Sequence, residues 1–188
     1  MLFRSRGRHL SYAMTTFAIS PTFRSDTGFV QRTDQRRLAG NVAYRWWPEQ
    51  TLVNWGTQVD YGRTYDFANV LQDKNAGLRV DVNFVHNVLI HAEVRRDMER
   101  FGGVEFFKTG YGWGGGVSTS RHLALGGWVG VGDQVFYDPQ APYLGRGTTY
   151  GFYFTVRPSH RLSSDISVQR SRFVGAVASR SEIGRAHV

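Results

Sequence analysis

The chain has 188 residues, 41% apolar and 14% aromatic, with 23 Lys and Arg against 15 Asp and Glu, a formal charge of +8 and no cysteine. That length allows one domain of ordinary size, and the lack of cysteine excludes disulfide scaffolds and thiolate metal sites. No stretch reaches the about 18 uninterrupted apolar residues of a membrane-crossing helix, and the excess charge, almost all Arg with Lys only at Lys74 and Lys108, is scattered along the chain without a nucleic-acid motif.

Both ends are set aside first. Met1-Leu2-Phe3-Arg4-Ser5 resembles a translated sequencing-adapter end, and Glu182-Ile183-Gly184-Arg185-Ala186-His187-Val188 resembles the same adapter on the opposite strand. Residues 1–5 and 182–188 are therefore expected to be artefact, and 6–181 to be one partial barrel domain.

A weak apolar run from Leu10 to Ile19 comes first. Alternation of period two then recurs along the chain. Leu38, Val42, Tyr44 and Trp46 oppose Asn41 and Arg45; Val53, Trp55, Val59 and Tyr61 oppose Asn54, Gln58 and Asp60. Leu78 to Phe84 alternates with Arg79, Asp81 and Asn83, and Val88 to Val94 with His91, Glu93 and Arg95, although Leu89 breaks the rule. Tyr111, Trp113 and Val117 alternate with glycines, as do Leu123, Leu125, Val129 and Val131; Tyr150 to Val156 and Leu162 to Val168 complete nine candidate strands. Gly at 22 and 13 Phe, 9 Tyr and 5 Trp fit an all-β protein rich in turns and rings.

The connections alternate in kind. Tight turns are predicted at Trp47-Pro48-Glu49-Gln50, His86-Asn87, Ser120-Arg121-His122 and Pro158-Ser159-His160, and longer loops at Ser20 to Asp34, Asp66 to Asp73, Asp97 to Lys108 and Asp133 to Gly147. One rim trimmed short and one elaborate is the asymmetry of an outer-membrane barrel, whose short turns face the periplasm. Strands of about ten residues, at about 3.3 Å each and tilted by about 40°, span about 25 Å, the height of the apolar band on such barrels. Trp46, Trp47, Tyr65, Phe106, Phe107, Phe136, Tyr137 and Tyr143 lie near strand ends, where rings suit a headgroup layer. The fold expected is an antiparallel up-and-down meander of about nine strands, an incomplete part of a larger transmembrane β-barrel. Nine is odd and leaves two unpaired edges, so a curved, open sheet is expected that does not insert alone.

Alternation does not say which face is outside. A soluble lipocalin-like barrel or sandwich has the same period with its apolar set turned inward, but needs a Lys- and Glu-rich surface. Here the polar set is Gly, Asn, Thr, Ser and Gln with occasional charges, which suits an enclosed lumen. Arg45, Asp60, Arg79, Asp81, Glu93, Arg95, Arg157 and Asp165 are the candidate lumen-lining residues, with Arg79–Glu93 and Asp81–Arg95 as expected pairs across one hairpin.

The loop segments carry a resemblance. Gly28-Phe29-Val30-Gln31-Arg32-Thr33-Asp34, Arg100-Phe101-Gly102-Gly103-Val104-Glu105-Phe106, Gly132-Asp133-Gln134-Val135-Phe136-Tyr137-Asp138-Pro139 with Tyr143-Leu144-Gly145-Arg146, and Ser171-Arg172-Phe173-Val174 are similar to the C-terminal barrel region of large bacterial proteins. Those proteins have a carbohydrate-binding family nine-like domain at the N-terminus, followed by a barrel domain of unknown function. The resemblance spans most of Arg6 to Val174 and implies a bacterial outer-membrane location and a sugar-binding-like domain upstream, with no activity. Asp133, Tyr137, Asp138, Pro139 and Arg146 are the candidate loop motif, more apt to shape the loop than to touch a ligand.

Chemistry is sparse. His86 and His91 with Asp81 and Asp97 offer a proton-transfer set only if the fold gathers them, and Asp133 and Asp138 offer two carboxylates for a hard cation or, more simply, caps for backbone donors. No catalytic, cofactor or metal site is assigned. The expected function is that of a membrane anchor or conduit with long loops for surface contact, with outer-membrane lipid, the upstream domain and a surface glycan as partners and no nucleic acid. The alternative is a soluble carbohydrate-binding β-barrel or sandwich module that stacks exposed rings on sugars.

Overall fold

The computed structural model describes residues 1–24, 33–118, 120, 122–159 and 162–175. Apart from one turn of 3-10 helix at Val85–Asn87, its regular structure is ten strands, β1 (Leu2–Arg6), β2 (Leu10–Ile19), β3 (Gln35–Trp46), β4 (Leu52–Tyr65), β5 (Leu71–Phe84), β6 (Val88–Phe101), β7 (Val104–Val117), β8 (Leu123–Phe136), β9 (Tyr143–Ser159) and β10 (Leu162–Gly175). They form one antiparallel sheet in which spatial order equals chain order. The sheet is open, because β1 and β10 do not pair with each other. Each of the nine alternating segments lies inside a strand, and the tenth, β1, falls on the segment set aside at the N-terminus.

The predicted short turns fall on one rim, here the lower. His86 and Asn87 both adopt positive φ, at 62° and 55°, which lets β5 and β6 reverse directly. Ser120 Oγ accepts the N–H groups of His122 and Leu123 at 3.0 and 3.1 Å and closes the β7–β8 connection. Arg121, His160, Gly28 to Arg32 and 182–188, all named above, lie outside the described residues.

The upper rim differs from expectation. The strands run on past their apolar stretches, so most of the predicted loops at Asp97 to Lys108 and Asp133 to Gly147 are strand, whereas the one at Asp66 to Asp73 stays a connection up to Val70. Between Phe101 and Val104 only Gly102 and Gly103 remain as a turn, at φ 58° and 81°, a reversal that glycine permits without steric cost. Charge pairs across the strands help prolong this hairpin, beside the buried Met98 and Phe106. Lys108 Nζ meets Glu99 Oε2 at 2.5 Å, and Arg100 pairs with the directly opposed Glu105. The strands β4 to β8 are 14 residues each, which at about 3.3 Å per residue and a tilt of about 40° gives about 35 Å, beyond a band of about 25 Å.

Among the described residues no second layer covers the sheet. The buried apolar side chains among the described residues are Met98, Phe106 and Val135, at 6, 7 and 9% exposure, all in the upper parts of β6, β7 and β8. Register places Val42, Val59, Leu78, Val94, Tyr111 and Val131 in one row across six strands, on the face that also carries Ile90, Trp113, Phe152 and Ile166. That face is open, with Val59 53%, Phe152 64% and Ile166 55% exposed. A sheet with one apolar face ordinarily buries it against another element.

Candidate functional site on the polar face

The other face gathers the charged and amide side chains. By register all eight candidate lumen residues share it. Arg79 stands directly opposite Glu93, with Nη1 3.5 Å from Oε2, and its Nε donates to Asp81 Oδ1 at 2.9 Å. The expected Asp81–Arg95 pair does not form. Asp81 opposes His91, and Arg95 opposes Gly77 and bridges Asp97 of its own strand at 3.6 Å. In an antiparallel pair, residues two apart on each strand diverge to four positions once the register is drawn, too far for contact.

A ladder of charge thus climbs β5 and β6, from Asp81 through Arg79 and Glu93, then Arg95 and Asp97, to Glu99 and Lys108. Below it Arg45 Nη1 and Asn83 Nδ2 both donate to Oδ1 of the buried Asn54, at 2.7 and 2.8 Å. Asp60 accepts from Gln58 Nε2 at 2.9 Å, and Asp165 accepts from Thr155 Oγ1 at 2.6 Å. Arg157 lies at the lower rim, its main chain exchanging contacts with His122. Pairs of this kind in mid-exposure contribute little stability each, but they leave the face nearly neutral.

Beside the ladder the face hollows. A cavity of about 600 Å³ spans β5 to β10, with Glu93 and Arg95 on one wall, Gln134 and Gln169 on the other, and glycines of β7, β8 and β9 as its floor. The glycines receive large neighbours. Trp128 lies over Gly114 and Gly151, where an added Cβ would meet it at 2.9 and 2.8 Å; Tyr153 lies over Gly126, at 2.5 Å. Sequence reasoning missed Trp128 and Tyr153, because each is out of phase with the apolar set of its own strand. The signal was the glycine opposite each, Gly151 for Trp128 and Gly126 for Tyr153. Phe106, Phe136 and Tyr143, expected in the outward ring of aromatics, also belong to the polar face by register. Phe136 stacks on Tyr143 at 5.0 Å. The lower edge of the apolar face instead has Tyr44, Trp46 and Trp55, the last two stacked at 4.1 Å.

The loop motif is structural in its contacts. Asp133 Oδ2 accepts the Thr109 N–H at 2.9 Å, where β7 and β8 part company above Gly110 and Gly132. Asp138 Oδ1 accepts the N–H groups of Gln140 and Ala141 at 2.8 and 3.3 Å in the turn around Pro139. Tyr137 donates to Glu99 at 2.9 Å and packs edge-on against Phe101, strapping this loop to the β6–β7 hairpin. Burial, then the bond to the Glu99 carboxylate, pushes its phenol up to about 12. Arg146, opposite Asp133, is exposed. The proton-transfer set is not assembled. Asp81 and His91 are opposed, but Asp97 stands six residues up β6 from His91, about 20 Å away. Among the described residues no group of three or more His, Asp or Glu is placed to hold a metal ion.

Register also sorts the arginines, which look scattered in the sequence. On the apolar face Arg36, Arg63, Lys74, Arg96, Arg100 and Arg146 lie toward the upper rim, against only Glu105 and Asp133, while on the edge strand β10 Arg172 and Arg170 stand lower, level by register with Val131 and Val129. Neighbouring strands run in opposite directions, so cations far apart in the chain reach one height. Below them the apolar face of β3 to β9 has no charged residue. No protein-family model, no well-characterised protein and no solved structure matches the chain.

Proposed function

We propose that this sheet is part of a bacterial outer-membrane β-barrel that acts as membrane anchor or conduit, its apolar face against acyl chains and its polar face toward an enclosed interior. One observation supports this most: among the described residues, the wide apolar face of β3 to β9 has neither charge nor cover from the lower rim to the basic residues near the upper one. Lipid supplies the cover that a soluble fold takes from a second layer. The polar face fits an interior, since its carboxylates, amides and guanidinium groups bond one another around a hollow. The resemblance to barrels that follow a family nine-like carbohydrate-binding domain points the same way and adds a sugar-binding-like domain upstream as partner.

The two unpaired edges matter energetically. In hydrocarbon each unsatisfied backbone group costs several kcal/mol, so the sheet needs its β1 and β10 edges paired by further strands. The test is partition of the expressed complete gene product between detergent and aqueous phases: detergent-phase recovery is expected, and recovery in the aqueous phase without detergent overturns the reading. A carbohydrate-contact reading draws on Trp128 and Tyr153 beside the polar hollow. Quenching of tryptophan fluorescence by a linear oligosaccharide, abolished in Trp128→Ala, would support it, and unchanged emission would remove it.

A further inference from the structure

The basic residues of the apolar face call for an anion. Arg63 and Lys74 are directly opposed across β4 and β5, which sets their Cβ atoms about 5 Å apart, and like charges so placed are destabilising. Arg36 is diagonal to Arg63, and Arg96 diagonal to Lys74, which makes one run of four cations over four adjacent strands. No carboxylate shares that face on β3 to β6 among the described residues. The nearby loop carboxylates are engaged elsewhere, Asp34 by the Phe67 N–H and Asp66 by the Val70 N–H and Gln72. Lys74 and Arg96 are exposed with no acidic partner among the described residues, while Arg63 and Arg36 rest their guanidinium groups on Tyr61 and Phe67. Arg146 and Arg172 are likewise diagonal across β9 and β10.

Resting on the membrane reading above, we propose that this collar binds the phosphates of a phosphorylated glycolipid of the lipid A type, whose acyl chains lie on the uncharged band below. Three features select this occupant. The collar adjoins the apolar face rather than the polar interior, so its anion is attached to something apolar. Guanidinium groups bind phosphate oxygens in pairs, and several cations on adjacent strands match the multiple charges of a bisphosphate better than a single carboxylate. It lies at the rim opposite the short turns, which in an outer-membrane barrel is the outer leaflet, where glycolipid phosphates line the surface. The excess of basic charge then has a purpose that needs no nucleic acid, since each cation near an anionic lipid surface adds to attraction.

The test uses the full chain in dodecyl maltoside micelles, with retention measured for lipid A bisphosphate, the same lipid with both phosphates removed, and phosphatidylglycerol. The bisphosphate should be held at least about tenfold more tightly than either competitor. Arg63→Gln, Lys74→Gln and Arg96→Gln together should lose that preference, whereas Arg6→Gln, Arg37→Gln and Arg157→Gln, an equal charge change on the other face, should keep it within about twofold. Arg96→Gln alone, at an exposed site without a partner, covers the case in which the triple variant fails to fold, and should weaken retention by at least about threefold. Equal retention of the dephosphorylated lipid, equal retention of phosphatidylglycerol, or an unaffected Arg96→Gln overturns the proposal. If the chain enters the detergent phase and shows none of these preferences, the collar alone fails; if it stays in the aqueous phase, the membrane reading fails and the collar with it.

Discussion

The two faces of this sheet are built on the same strands and carry similar numbers of cations, yet they treat charge in opposite ways. On the polar face Arg79, Arg95 and Lys108 each have a carboxylate within 4 Å and spread from mid-strand to the upper rim. On the apolar face of β3 to β9 the cations are confined to one end, and Lys74 and Arg96 stand without an acid beside them among the described residues. Pairing is what an interior of low dielectric demands of charge. Exclusion from a band, with excess at its border, is what a hydrocarbon layer under anionic headgroups demands. The difference between the faces therefore carries more functional information than either composition alone.

The sharpest way to break the comparison is to place a charge where the apolar face has none. Val80→Arg, in the middle of the band and opposite Thr57 and Ala92, should cost about 2–4 kcal/mol in lipid, whereas Gln169→Arg on the polar face should stay within about 0.5 kcal/mol. Urea unfolding from vesicles measures both, and equal costs would erase the distinction. Next comes the point where β7 and β8 part. A Cβ at Gly132 would meet the Thr109 carbonyl oxygen at 2.5 Å, a backbone atom that cannot swing aside, so Gly132→Ala should destabilise by about 1–3 kcal/mol. The same assay reads it, and a neutral result would mean that the seam is already open.

Tyr137 sharpens the comparison at the upper rim, where the charge ladder meets the loop. Tyr137→Phe removes the bond to Glu99 and should cost about 1 kcal/mol, discounted for exposure. Its phenol ordinarily titrates at 10 and here near about 12, so the contribution is whole below pH 10 and is lost as pH rises toward 12. The alkaline limb of a stability profile should therefore flatten in the Phe variant, and an unchanged limb would contradict the strap. Smallest is Arg79→Gln, which loses half-exposed pairs to Asp81 and Glu93 and should cost about 0.2–1 kcal/mol by the same unfolding measurement.

Much of this architecture is legible without coordinates. Period-two runs such as Leu78 to Phe84 identify strands directly, because the pleat forces alternate side chains to opposite faces. The upper strand ends are not legible that way. Arg96-Asp97-Met98-Glu99-Arg100 has no apolar alternation, and its partner is named only by opposed charges across the Gly102-Gly103 turn. Trp128 and Tyr153 hide for the reverse reason, since an apolar residue on the polar face looks like a lapse until the glycine opposite it is known. The basic collar is invisible in one dimension. Arg63 and Lys74 sit on consecutive strands and are opposed only through the register of β4 and β5, which a single sequence leaves free to slip. The Asp81–Arg95 expectation failed for a different reason: once Arg79 faces Glu93, antiparallel pairing sets Asp81 and Arg95 four positions apart.

The orientation of the two faces can be measured directly, since the chain has no cysteine to compete with an introduced one. Nitroxide labels at single cysteines replacing Val59, Val80 and Phe152 on one face, and Gln58, Asn83 and Gln169 on the other, can be read in the protein's own membrane for collision with oxygen, which dissolves in acyl chains, and with a water-soluble nickel chelate. Oxygen access at the first three sites with chelate access or neither at the second three is the predicted result. Chelate access at Val59, Val80 and Phe152, with the labels at Gln58, Asn83 and Gln169 in lipid or equally wet, would contradict it.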